Sequence, residues 1–233
     1  MSTDDAMHLD VRETLTFFDE EPAGSEGHAT AVAAVCGEDL GLGLLKHCLE
    51  ARDAHVQIHR GPCTKGARKG PRLDAWVRVQ GQHLDLPDVL FQVEVKNWSA
   101  HAIGGERLPL DASSETITAY KMTNWKKEWD DHTGIRKSNL AKVLEPMRPP
   151  RRLSDLPIEP LACMWTALHP HGKPECFFSV ALPQGHGGGF SRVWFFSMSA
   201  YLRTLPYEPI TITMPDTAQR LHWLNRLMST GRQ

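Results

Sequence analysis

The run "VLFQVEVKNWS", residues 89 to 99, constrains this chain more than any other stretch. It is apolar and β-branched enough to be a buried strand, and strands buried on both faces read as continuous Val, Ile and Leu. Here Glu94 and Lys96 interrupt the pattern. Ionised groups taken out of water without partners cost several kcal/mol each, so the fold must compensate them at this point. Successive side chains alternate across a strand, which puts Gln92, Glu94 and Lys96 on one face and Val93 and Val95 on the other.

The segment "RLDAWVRVQ" alternates in the same way. Leu73, Ala75, Val77 and Val79 are expected on one face, with Asp74, Trp76 and Arg78 on the opposite one. The turn-rich "GQHLDLPD" separates the two runs, and a hairpin centred near Leu84 pairs Asp74 with Glu94. Asp88 is read as a residue of that turn. Like charges facing each other across a sheet are unfavourable unless a cation lies between them, and a divalent metal would supply one. A third acid points to the same place. A helix is predicted from Ala29 to Ala51, with Val35, Leu42, Leu45 and Leu49 at helical spacings, and Glu38 falls inside that stripe. Glu38 is therefore expected to face the core and Asp39 to be solvated; a helix boundary placed a few residues later is the competing reading. Gly37, Gly41 and Gly43 are tolerable in such a helix if it must approach the sheet closely.

With 233 residues and a hydrophobic fraction of 41 %, the chain can build a core without staples. Its five cysteines are odd in number and form no CxxC pair, which argues against a disulfide framework or a zinc knuckle and for reduced, cytoplasmic thiols. The start "MSTDDAMHLD" lacks the regions of a signal peptide, and no run approaches the roughly 18 apolar residues of a membrane span, so no membrane partner is expected. A net charge of −2 gives no bulk argument for nucleic acid, which local basic patches would have to meet.

The organisation read from the pattern is an acidic lead-in over 1–26, a core over 27–170 and a C-terminal elaboration over 171–233. "HVQIH", "LACMWTAL", "CFFSVAL" and "RVWFFSM" are further strands, residues 114–147 are a helical region broken near Thr133-Gly134, and "MRPPRRLSDLPIEP" is a proline-rich loop. The closing helix in "MPDTAQRLHWLNRLM" opens with Asp216 as N-cap and carries Leu221, Leu224, Leu227 and Met228 as an apolar stripe.

Basic segments offer phosphate contacts. "TKGARKGPR" brings Lys65, Arg68, Lys69 and Arg72 in front of Asp74, where they suit sequence-independent, salt-sensitive binding to a nucleic-acid backbone; a merely solvated loop is the bland alternative. In "AYKMTNWKKEWDD" the tryptophans are read as core, while Lys121 or Tyr120 can reach the site from the following helix. "GHGGGF" lacks the Lys-Ser/Thr of a phosphate loop and reads as a hairpin. His59, Cys63, His169 and His171 do not complete a zinc set.

The helical Glu38, Asp74 in "LDAWV" and Glu94 and Lys96 in "VEVKNWSAHAIGG" follow one another in the element order of the PD-(D/E)XK nuclease superfamily. Over about residues 30–170 the chain resembles this restriction-endonuclease-like fold, and its text is most similar to the nuclease-related domain. The superfamily's Pro before the Asp is replaced by Leu73. What the resemblance implies is an α/β core in the order α-β-β-β-α-β, a mixed sheet flanked by helices. It further implies Glu38, Asp74, Glu94 and Lys96 as the active-site set and Mg²⁺ or Mn²⁺ as cofactor. Asp74, Glu94, Glu38 and the Val95 backbone carbonyl would be the ligands. The expected function is a metal-dependent nuclease, acting on DNA rather than RNA, alone, as a homodimer or with partner proteins of a prokaryotic defence or repair system. The alternative is a catalytically inactive nuclease-fold subunit that binds DNA or assembles a multi-protein complex.

Overall fold

Period-two patterning makes the strands where it is strongest. The computed structural model describes residues 5–19, 28–60, 73–81, 86–101, 143–167, 175–182 and 189–229. In it β2 (His55–His59), β3 (Ala75–Gly81), β4 (Leu86–His101), β5 (Ile158–Thr166), β6 (Phe177–Ala181) and β7 (Arg192–Ser197) form one sheet in the order β2-β3-β4-β5-β7-β6. β2, β3 and β4 are an antiparallel meander, β4, β5 and β7 run parallel, and β6 returns antiparallel to β7. The molecule is thus α/β with a mixed six-stranded sheet, and no helix among the described residues is long and apolar enough to cross a membrane.

The β3–β4 register is the one expected from the hairpin: Ala75 faces Val93, Val77 faces Phe91 and Val79 faces Val89. Past Val79 it shifts by one residue, and the extra residue lies on β4. Asp88 sits there with φ 35°, in the left-handed region that one member of a bulge commonly adopts. It is therefore a bulge residue within β4 and not a turn residue. Arg78 holds it from the neighbouring strand through Nε to Oδ1 at 2.9 Å and Nη2 to Oδ2 at 2.7 Å, and that guanidinium lowers the carboxyl below its usual range.

Both faces of the sheet are covered. On one face Val77, Val93, Val95, Leu161, Cys163 and Phe196 pack with α2 (His28–Glu50) in the main core. The opposite face carries two smaller clusters, one of Ala162, Met164, Phe195, Val143 and Leu144, the other of Leu73, Trp76, Leu90 and Leu153. Leu73 departs from the expected alternation and joins Trp76, because the chain is a bend at Asp74 and the strand begins only at Ala75. Residues 143–145 are a turn and 146–150 are irregular, so the predicted helix does not reach Met147; its residues 114–142, including Lys121, Trp125 and Trp129, lie outside the described residues.

Two expectations about the chain's ends are corrected. The acidic opening is not a lead-in outside the core: β1 (Ala6–Leu9) pairs antiparallel with β8 (Ile210–Thr213), and α1 (Val11–Asp19) buries Val11, Leu15 and Phe18 in the main core. Their spacing of four and three is a helical stripe that the surrounding acids obscure. After the short α3 (Met198–Leu202), the closing helix α4 (Pro215–Ser229) forms as expected, but Asp216 lies inside its first turn. Its N–H cap comes from elsewhere, with Thr217 N donating to Asp39 Oδ2 at 2.8 Å. The stripe Leu221, Leu224, Leu227 and Met228 is exposed, from 40 to 80 %.

Candidate active site

The site is built by the register of β3 on β4 and by where β3 begins. Val93 pairs with Ala75 in the ladder, and Asp74 N donates to Val93 O at 3.2 Å. Beyond Val93 the pairing with β3 ends, and Val95 N donates to Asp74 Oδ2 at 2.6 Å. The carboxylate thereby takes the place of a main-chain acceptor and fixes its own position beside residue 94. Charge-assisted bonds of this kind are shorter and stronger than neutral ones. Asp74 is half-buried and Glu94 is 4 % exposed, on a strand whose parallel partner places Ala162 opposite Glu94.

Gln92, two residues before Glu94 on the same face, anchors this part of the sheet. Its Nε2 donates to the carbonyls of Val143 and Glu145, and its Oε1 accepts from Met147 N at 3.2 Å. A buried amide is thus engaged at both ends, as burial requires. Lys96 continues the strand opposite Met164; the placement of its side chain lies outside what is described. The charge of Asp74 is also felt on β5, where burial and then that carboxylate push the Cys163 thiol up.

Glu38 does not join this group. It is exposed, whereas Asp39 beside it is fully buried, the reverse of the expectation. The inward line of α2 at this level runs through Ala33, Gly37, Leu40 and Leu44, and the first two are too small to register as an apolar stripe. Val35, taken as the start of the stripe, is 40 % exposed. The faces also separate the residues. Gly41 brings α2 against the Val95 side of β4, where an added Cβ would lie 2.9 Å from Val95 Cγ1. Glu94 alternates to the opposite side.

Asp39 instead forms an ion pair with Arg60, which also reaches Asp216 on α4. These contacts and the Thr217 cap join α2, the end of β2 and the start of α4, which no local pattern announces. Lys65, Arg68, Lys69, Arg72 and Lys121 lie outside the described residues, as do Cys63, His169 and His171. Among the described residues no group of three or more His, Cys, Asp or Glu is gathered for a metal ion. Two cavities of about 400 and 570 Å³ open beside α1 and beside β2, and neither is lined by Asp74 or Glu94.

Comparison of the chain with protein-family models, with curated proteins and with solved structures finds no match.

Proposed function

We propose that this protein is a metal-dependent nuclease that hydrolyses phosphodiester bonds, with DNA as its substrate class, on a restriction-endonuclease-like core. The observation that carries the reading is the nearness of Asp74 to Glu94, made by the β3–β4 register, in which Ala75 pairs with Val93, and by the Val95 N–H contact. The order α2-β2-β3-β4, followed by β5 parallel to β4, supports it as far as the described residues reach.

The donor set suits a hard cation. Mg²⁺ uses one or two carboxylates and completes its shell with waters and substrate phosphate oxygens, which Asp74 and Glu94 would satisfy, with the Val95 carbonyl as the further ligand the resemblance implies. When bound, the metal would polarise the phosphoryl oxygen and lower the pKa of a coordinated water. Asp74 is oriented for this by its bond to Val95 N. Lys96, two residues beyond Glu94, would hold positive charge at the phosphoryl oxygens where negative charge develops. Glu38 has no part in this arrangement. The low exposure of Glu94 favours a second reading, in which the pair is a buried structural feature of a DNA-binding or assembly subunit.

Cleavage separates the two. The protein is incubated with supercoiled plasmid, linear duplex, single-stranded DNA and RNA, each with Mg²⁺, Mn²⁺ or EDTA. The nuclease reading expects metal-dependent cleavage that Asp74→Asn and Glu94→Gln abolish while circular dichroism and the urea midpoint stay close to wild type. Asparagine is chosen at 74 because it keeps an acceptor for Val95 N, whereas alanine would strand that donor at about 1–3 kcal/mol. Lys96→Met should retain DNA binding and lose about 10²-fold or more in single-turnover rate. Binding without cleavage by wild type in every condition moves the assignment to the second reading.

A further inference from the structure

A cluster of reactive side chains lies in the core on the α2 side of the sheet, opposite the face of Glu94, and nothing in the nuclease reading uses it. Cys48, in the last turn of α2, places its Sγ 4.0 Å from Sγ of Cys176, the residue that leads into β6. The two are 128 positions apart in the chain and are both buried, at 1 and 7 % exposure. Arg52, in the turn after α2, donates from Nη2 to Cys176 Sγ at 3.1 Å. The rest of the setting is Tyr201 of α3, whose hydroxyl shares a 2.6 Å hydrogen bond with His47 Nδ1.

The two thiols are not equivalent. Cys176 accepts from the Arg52 guanidinium and shares a sulfur contact with Cys48, while Cys48 is enclosed deeper in the core. The hydrogen bond with Cys48, and then the charge of Arg52, lower Cys176 against the effect of burial, and the same hydrogen bond with burial pushes Cys48 up. A thiolate is the nucleophilic form of cysteine, and cationic neighbours are what make one thiol of a pair reactive. The remaining described thiols lack this arrangement: Cys36 donates to the Val32 carbonyl, and Cys163 is enclosed in the sheet.

We propose that Cys48 and Cys176 are an oxidation site, in which Cys176 is the thiol that attacks a peroxide and Cys48 the thiol that resolves it to a disulfide. In the first step Cys176 Sγ attacks one peroxide oxygen. The S–O bond forms, the O–O bond breaks, and the departing hydroxide takes a proton from solvent to become water. In the second step Cys48 Sγ attacks the sulfenic sulfur. The S–S bond forms, the S–O bond breaks, and the leaving hydroxide takes the Cys48 proton as a second water. Two thiols are oxidised by two electrons and one peroxide is reduced to two waters. A thiol reductant reverses the step.

The full chain is treated, folded and without denaturant, with hydrogen peroxide, and the remaining thiols are then capped in denaturant and mapped by mass spectrometry. The expected result is a loss of about 2 Da before capping, a peptide cross-linking Cys48 to Cys176, and reversal by dithiothreitol. The midpoint for modification of Cys176 should lie at lower pH in the folded protein than the value of about 8.5 for an ordinary thiol in the unfolded chain. Thiolate is present above these values, so the folded protein reacts faster throughout the interval. Arg52→Met, a change at an exposed residue that leaves both thiols in place, should slow the reaction at pH 7 by about three- to tenfold. A cross-link to Cys36, Cys63 or Cys163, oxygen added to Cys176 without the cross-link, or a rate unaffected by Arg52→Met would overturn the assignment.

Discussion

At the scale of single residues, adjacent acids have opposite fates. Asp39 is fully buried, accepts from Thr217 N and is paired with Arg60, while Glu38 faces solvent one position earlier. Removing one partner of a buried pair leaves the other uncompensated, which costs about 3–5 kcal/mol when both are enclosed. Arg60 retains 24 % exposure and a second carboxylate in Asp216, so Asp39→Ala is expected to lower stability by less, about 2–3 kcal/mol. Asp39→Asn should lose roughly half of that, since an amide oxygen can still accept from Thr217 N. Glu38→Ala should stay within about 0.5 kcal/mol of wild type, as exposed substitutions do. Urea denaturation of the three variants checks the order, and an equal loss at both positions would contradict the burial assignment.

At the scale of elements, the decisive contact is helix on sheet. α2 can approach β4 only because Gly41 carries no side chain, with Val95 Cγ1 at 2.9 Å and Met198 Sδ at 3.4 Å from where a Cβ would be. Val95 is β-branched and enclosed, so it has little freedom to move aside. Overpacking of this kind costs about 1–3 kcal/mol, and the better helix propensity of alanine returns about 1 kcal/mol. Gly41→Ala should therefore be destabilising by up to about 2 kcal/mol, where an exposed helix glycine would show a gain. The thermal midpoint gives the sign directly. The wider approach of helix to sheet was legible in the spacing of glycines; the orientation of the helix was not, because Ala33 and Gly37 mark its inner line without hydropathy.

At the scale of the whole molecule, the opening segment helps to close the main core. Phe18 packs against Trp165 with ring centroids 4.9 Å apart, and β1 pairs with β8 at the other end of the chain. Leu15→Ala, at a fully enclosed site, should cost about 2–5 kcal/mol. Deletion of residues 1–19 should abolish cooperative unfolding, because it bares the apolar side of α2 and the β1-facing edge of β8 together. A folded monomer of unchanged midpoint after that deletion would show the segment to be dispensable. The sequence by itself determined the strands β2 to β7, the register that pairs Ala75 with Val93, the long helix before them and the closing helix. These follow from alternation and helical spacing, which act between near neighbours. Only the tertiary structure decided that Asp39 and not Glu38 turns inward, that the cap of α4 comes from a residue 178 positions away, and that Cys48 meets Cys176. Partners so distant are selected by the packing of helices on the sheet, and charge pairing, capping and thiol contact have no period along the chain from which to be read.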